Sequence, residues 1–186
     1  MNNIMIDIET LDTELTAIVV SIALVRFDYG GKINTPIVIY PSIEEQAKAG
    51  RTTSTETAIW WLTQNCKAIK STFVDESQRL SVEDAKEIVV QAISTTPRDI
   101  WAKSPQFDIS ILENLFREKI APFRRVFDVR TAQLFLSERP DYALPTHVAE
   151  EDCINQIRIL DNLYTRFNSI PPLSETPEIQ DEDVFL

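Results

Sequence analysis

The chain of 186 residues is short of the features that mark several protein classes. Cys66 and Cys153 are its only cysteines, too few for a disulfide framework and consistent with reduced thiols in a cytoplasmic protein. Its longest apolar run, Ala17 to Val25, is broken by Ser21 and falls far short of a bilayer span. The opening Met-Asn-Asn-Ile-Met-Ile-Asp lacks the basic and apolar regions of a signal peptide, so none is expected. There is no internal repeat and no low-complexity tract. Basic residues are outnumbered, 18 Lys and Arg against 29 Asp and Glu, which argues against a general electrostatic grip on nucleic acid. Part of that acidity is local. The stretch 169–186 carries Glu175, Glu178, Asp181, Glu182 and Asp183 without a Lys or Arg, and reads as a flexible acidic tail behind a domain spanning 1–168.

What is present is an ordered series of elements. Ile4, Ile6 and Ile8 alternate with Met5 and Asp7, the period of a strand. Ala17–Phe27 and Ile33–Tyr40 read as two more strands, with Gly30-Gly31 as a turn and Pro36 as an edge or bulge signal, so the chain should open as an antiparallel meander. Helical spacing follows over Thr55–Cys66, with Ile59, Leu62 and Cys66 on one face. A second helix over Ser81–Ser94 opens on a capping-box-like Ser81-Val-Glu-Asp84. A short strand at Asp99–Ala102 precedes a helix over Ile109–Lys119, with Ile111, Leu112, Leu115 and Phe116 inward. A strand near Val126, a helix over Val129–Leu136 and a final helix over Glu150–Phe167 complete the domain; Ile154, Ile157, Leu160, Tyr164 and Phe167 sit at helical spacing in the last. The order implies an α/β layer with helices covering a mixed sheet.

The chemistry lies in acids and one histidine. Asp7 and Glu9 flank Ile8 on one strand face, where two half-buried like charges are unfavourable unless a cation neutralises them. Oxygen-rich clusters of this kind bind hard cations such as Mg²⁺. Alone, the pair fits a solvated edge strand equally well. Asp108 stands where a strand gives way to a helix, a position that suits either a functional carboxylate or a plain N-cap. His147, the sole histidine, and Asp152 lie at the start of the last helix, where acids also complement the helix dipole. Adjacent Trp60 and Trp61 cannot share one helix face, so one is expected in the core and one partly exposed, the latter a base-stacking platform in the functional alternative. Lys103, Arg124, Arg125 and Arg130 read as solvated charge that would also suit phosphate.

Taken in order, Ile6-Asp-Ile-Glu-Thr10, Trp101 to Leu112 around Phe107-Asp108, and His147 to Asp152 resemble the three motifs of the DnaQ-like superfamily of 3′–5′ exonucleases, in its DEDDh branch. Phe127-Asp-Val-Arg-Thr131 resembles a further element of that branch. Trp101 to Asp108 and Asp152-Cys are most similar to the phage exonuclease A and bacterial exoribonuclease-like group. The resemblance implies a ribonuclease-H-like fold, a mixed five-stranded sheet with antiparallel first three strands, flanked by helices. It implies Asp7, Glu9, Asp108 and Asp152 as ligands of two Mg²⁺ or Mn²⁺ ions and His147 as general base. The expected activity is release of nucleoside 5′-monophosphates from 3′ ends of single-stranded nucleic acid, DNA ahead of RNA. The same-class alternative is an exoribonuclease. Readings of other classes are a catalytically silent nucleic-acid-binding module and an α/β interaction domain with scattered acids. Two positions depart from the group: Ser104 where Gly is usual, and Glu150 where Leu is usual. The tail, ending Asp181-Glu-Asp-Val-Phe-Leu186, resembles tails that recruit protein partners. Oligomeric state stays open, a homodimer included.

Overall fold

The alternation at the N-terminus does build a strand, but a central one. β1 (Asn3–Thr10) is buried on both faces along its whole length. The computed structural model describes residues 1–96, 98–136 and 144–169, so all of the acidic tail past Ser169 lies outside the described residues. β2 (Val19–Asp28) pairs antiparallel with β1, setting Asp7 opposite Ala23 and Glu9 opposite Ser21. The turn between β2 and β3 (Lys32–Ile33) uses Gly30 and Gly31 at φ of 93° and 82°, backbone that side-chain-bearing residues seldom adopt. The expected third strand is interrupted ahead of β4 (Ile37–Ile39) by Asn34-Thr35-Pro36, proline lacking the N–H that a ladder needs; both pieces pair with β2. On the other side of β1 lie β5 (Ile100–Ala102) and β6 (Val126–Asp128), both parallel to it. The sheet is therefore mixed, with five strands in the order β3-β2-β1-β5-β6 and β4 as a sixth beside β2.

The two faces of this sheet are covered by different helices. Ile4, Ile6 and Ile8 pack with α4 (Val82–Ser94) and α5 (Pro105–Phe116) through Val89, Ile93, Ile111 and Leu112. Ser81 caps α4 by accepting from the Asp84 amide, as its sequence predicts. The opposite face packs Met5, Ala23, Val25 and Phe27 beneath Cys153, Ile157 and Leu160 of α7 (Ala149–Ser169). Each of the Ile, Val, Leu, Met and Phe side chains among them contributes about 1.5–3 kcal/mol through burial of apolar surface, which fixes β1 between two apolar layers.

Two predicted faces are not buried as expected. The first helix splits into α2 (Thr55–Leu62) and α3 (Cys66–Thr72), because Asn65 caps the second by accepting from Lys67 and Ala68. Ile59 and Leu62 are exposed, and Trp61 supplies the buried anchor instead. In α7, Ile157 and Leu160 are buried, whereas Tyr164 and Phe167 are exposed beyond the edge of the layer. Short helices α1 (Ile43–Lys48) and α6 (Val129–Gln133) complete the fold. Among the described residues no helix is long and apolar enough to cross a membrane.

Candidate active site

β5 aligns only with Ile4, Met5 and Ile6, so β1 runs on past its neighbour's end. The Ile8 amide, buried on the side that β5 no longer covers, donates to Asp108 Oδ1 at 3.2 Å. This bond ties the start of α5 to the end of β1. Asp108 is not the N-cap of α5: Ser104 holds that position, Pro105 follows, and Asp108 lies in the first turn, 2% exposed. Ser104 has extended backbone, φ −111° and ψ 141°, so the usual glycine is not demanded there by φ.

From the other face α7 lowers its N-terminal turn towards Asp7 and Glu9. Asp152 accepts from the Thr146 amide at 2.7 Å and the Thr146 hydroxyl at 3.0 Å through Oδ1, and from the His147 amide at 2.9 Å through Oδ2. These bonds hold His147 at φ 58°, left-handed backbone that a non-glycine residue adopts only when its surroundings enforce it. The ring of His147 stands edge-on to Trp60 at 4.6 Å and to Trp61 at 6.5 Å. Trp61 is anchored by its indole N–H on the Thr10 carbonyl at 2.9 Å, while Trp60 stays 38% exposed, the division its sequence predicts.

All five sequence-predicted residues, Asp7, Glu9, Asp108, His147 and Asp152, line one cleft of about 680 Å³. Glu9, His147 and Asp152 bring ligand atoms within 4.8 Å of one another, a set that can hold a divalent cation. The four carboxylates are buried. The solvated edge strand is thereby excluded. Burial, then Asp108, Glu9 and Asp152, push Asp7 well above the usual carboxylate range, against one favourable hydrogen bond from Gln156. Burial and the charges of Asp152 and Asp108 raise Glu9 to about 8. Burial raises Asp108 to about 7, opposed by the Ile8 amide. His147 moves down, since burial disfavours its cation more than Asp152 favours it. Asp108 Oδ2 finds no hydrogen-bond partner among the described residues. Clustered carboxylates held away from water, one of them with an unpaired oxygen, are what a divalent cation would relieve.

The four flagged cations separate. Lys103 and Arg130 line the cleft. Arg125 is spent on the carbonyls of Arg98 and Thr96, and Arg124 lies over Phe123. Gln156 was not flagged by the sequence, although it projects one helical turn after Asp152 and touches Asp7.

The architecture and the motifs have known counterparts. Residues 2–164 match the family model of the 3′–5′ exoribonuclease Rv2179c-like domain. No curated protein matches the chain. Solved structures with the same fold include E. coli exonuclease I in complex with a dT13 oligonucleotide, 14% identical with a TM-score of 0.66 over 89% of this chain and 41% of that one. The zinc-bound form of the E. coli exonuclease I–single-stranded DNA complex is 13% identical, TM-score 0.65, over 90% and 41%. A complex of exonuclease I with an SSB C-terminal segment is 14% identical, TM-score 0.62, over 88% and 41%. This chain thus spans about two fifths of the length of those proteins.

Proposed function

The chain belongs to the Rv2179c-like 3′–5′ exoribonuclease domain family, and from that premise and the geometry of the cleft we propose that it is a metal-dependent 3′–5′ exonuclease. The observation that carries the reading is the convergence of Asp7, Glu9, Asp108, Asp152 and His147, drawn from β1, α5 and the start of α7, on one cleft. Asp7, Glu9, Asp108 and Asp152 would hold two Mg²⁺ or Mn²⁺ ions. Bound there, such ions make a coordinated water acidic and neutralise charge on the scissile phosphate. The chain's own part is positioning and proton transfer. The Ile8 amide fixes Asp108, and the hydrogen bonds from Thr146 and His147 fix Asp152. His147, kept neutral by its lowered pKa, has an imidazole lone pair free to accept the proton of an attacking water. Lys103 and Arg130 offer positive charge on the cleft wall for the phosphate backbone. The product is a nucleoside 5′-monophosphate.

Two polymers suit this site. The family description favours RNA, while the exonuclease I structures hold single-stranded DNA. The sequence resemblance to the phage group leans to DNA. Matched 5′-labelled single-stranded DNA and RNA oligonucleotides, with Mg²⁺, Mn²⁺ or EDTA, test the activity and rank the two. Stepwise shortening from the 3′ end with cation, absent with EDTA and in Asp7→Ala, is expected. Absence of any shortening, or cleavage at internal positions, overturns the proposal. The silent binding module and the plain interaction domain both predict no mononucleotide release.

A further inference from the structure

Among the described residues two glutamines are buried to 4% exposure or less, and their amides are treated differently. Gln46, 1% exposed, is fully used: its Oε1 accepts from the Val19 amide at 2.8 Å, and its Nε2 donates to the carbonyls of Val19 at 2.8 Å and Ser42 at 3.1 Å. It is a structural clamp between α1 and β2. Gln156, 4% exposed, uses only half of its amide. Nε2 donates to Asp7 Oδ1 at 2.7 Å, and the buried Oε1 finds no partner among the described residues. An unpaired buried carbonyl is destabilising, because water satisfied it in the unfolded chain. Such an acceptor is retained where a ligand brings the missing donor.

Its position says which ligand. Gln156 lines the cleft beside Asp7, Asp152 and Asn155. It lies one turn along α7 from Asp152, so the two side chains share a helix face. A divalent cation cannot donate a hydrogen bond, and a phosphate diester has no proton to give. Water coordinated to a cation donates strongly. We propose that Gln156 is a positioning residue of the cation site: its Nε2 aligns Asp7 as a ligand, and its Oε1 receives a hydrogen bond from a water on the bound cation. This rests on the cation-dependent reading of the cleft and adds a residue to it. Partners of this kind orient ligands, and losing one typically weakens metal affinity or activity by about 10–100-fold.

The test separates this role from a structural one. Mn²⁺ is titrated calorimetrically into the wild type, Gln156→Met and Gln156→Leu, and melting temperatures are recorded in EDTA. The two apolar replacements of similar size guard against a folding failure peculiar to one. The substitutions remove an unsatisfied acceptor but also the bond to Asp7 Oδ1, so the cation-free melting temperature serves to show that both variants fold. The positioning role predicts an Mn²⁺ affinity lower by about 10-fold or more in the folded variants. A purely structural glutamine gives a lowered melting temperature with unchanged affinity, and that result overturns the inference. Wild type that takes no Mn²⁺ overturns the cation site itself, and this inference with it; wild type that binds while both variants bind equally well overturns only the role of Gln156.

Discussion

The two faces of β1 are built from neighbouring residues and serve opposite ends. On one, Ile4, Ile6 and Ile8 continue an apolar layer without interruption under α4 and α5. On the other, the apolar layer stops after Met5, and Asp7 and Glu9 follow, also buried. The first face lowers the free energy of the fold at each position. The second raises it at its end, since carboxylates held away from water and near one another must keep protons or acquire a counter-charge. Stability and chemistry are thus separated by the pleat of one strand, with Ile6 and Asp7 as adjacent representatives.

The largest effects are expected on the acidic face. Asp7→Asn should reduce turnover by more than the ~10–100-fold lost when a residue merely supporting a ligand is changed, while the melting temperature in EDTA stays level or rises because a neutral amide carries none of the cost of a titratable carboxyl buried among other acids. Initial-rate assays and thermal melts on one preparation check both halves. His147→Ala should lower kcat by about 10²–10⁴-fold, the usual worth of a positioned base, with Mn²⁺ affinity largely kept. Because His147 lies among the atoms of Glu9 and Asp152, calorimetry is decisive: lost affinity would make it a ligand and not the base. On the apolar face, Ile6→Ala should destabilise by about 2–5 kcal/mol through lost contacts and a cavity, seen as a melting temperature lower by roughly 5–15 °C, with the per-molecule rate of the folded fraction preserved. A strongly reduced rate with little loss of stability would show that the two faces are coupled, contrary to this division.

How far these features could be read in advance depends on what a local pattern encodes. The alternation of Ile4, Ile6 and Ile8, the Ser81 cap and the inward face of Ile111, Leu112, Leu115 and Phe116 are local signals, and each is realised. The faces of Ile59 and Leu62 and of Tyr164 and Phe167 have apolar spacing too, but spacing does not say what covers a face, and here those residues are exposed. The candidate site was legible because, among 29 acidic residues, four stand with the lone histidine in a distinctive order. Their shared placement on one cleft required the fold. Gln156 was not legible: a neutral amide on a helix carries no sign, and what distinguishes it is a bond to Asp7 across 149 positions of sequence. Asp152 presented an intermediate case. Its place in the first turn was visible, but its bonds to Thr146 and His147 depend on the backbone turning left-handed at His147.

The smallest expected effect needs no substitution, only a change of pH. Glu9 rises from an ordinary 4.5 to about 8, and Asp108 from 3.8 to about 7, on folding. A carboxyl whose pKa is higher in the folded chain binds its proton more tightly there. Its contribution is fully present below the unfolded value, near pH 4, and is lost as pH rises through about 7 to 8. In EDTA the melting temperature should therefore decline between about pH 5 and pH 8. A cation that binds only the folded form acts in the opposite direction: at a hundredfold excess over Kd it adds about 2.7 kcal/mol, or roughly 5–10 °C for a domain of this size. Because binding displaces those protons, the gain should be small at pH 5 and largest at pH 8, so the Mg²⁺ and EDTA curves diverge with pH. Parallel curves would mean that the acidic end of β1 takes no cation. Ile6→Ala should shift both curves down and leave their divergence intact, because the apolar face carries no proton to exchange.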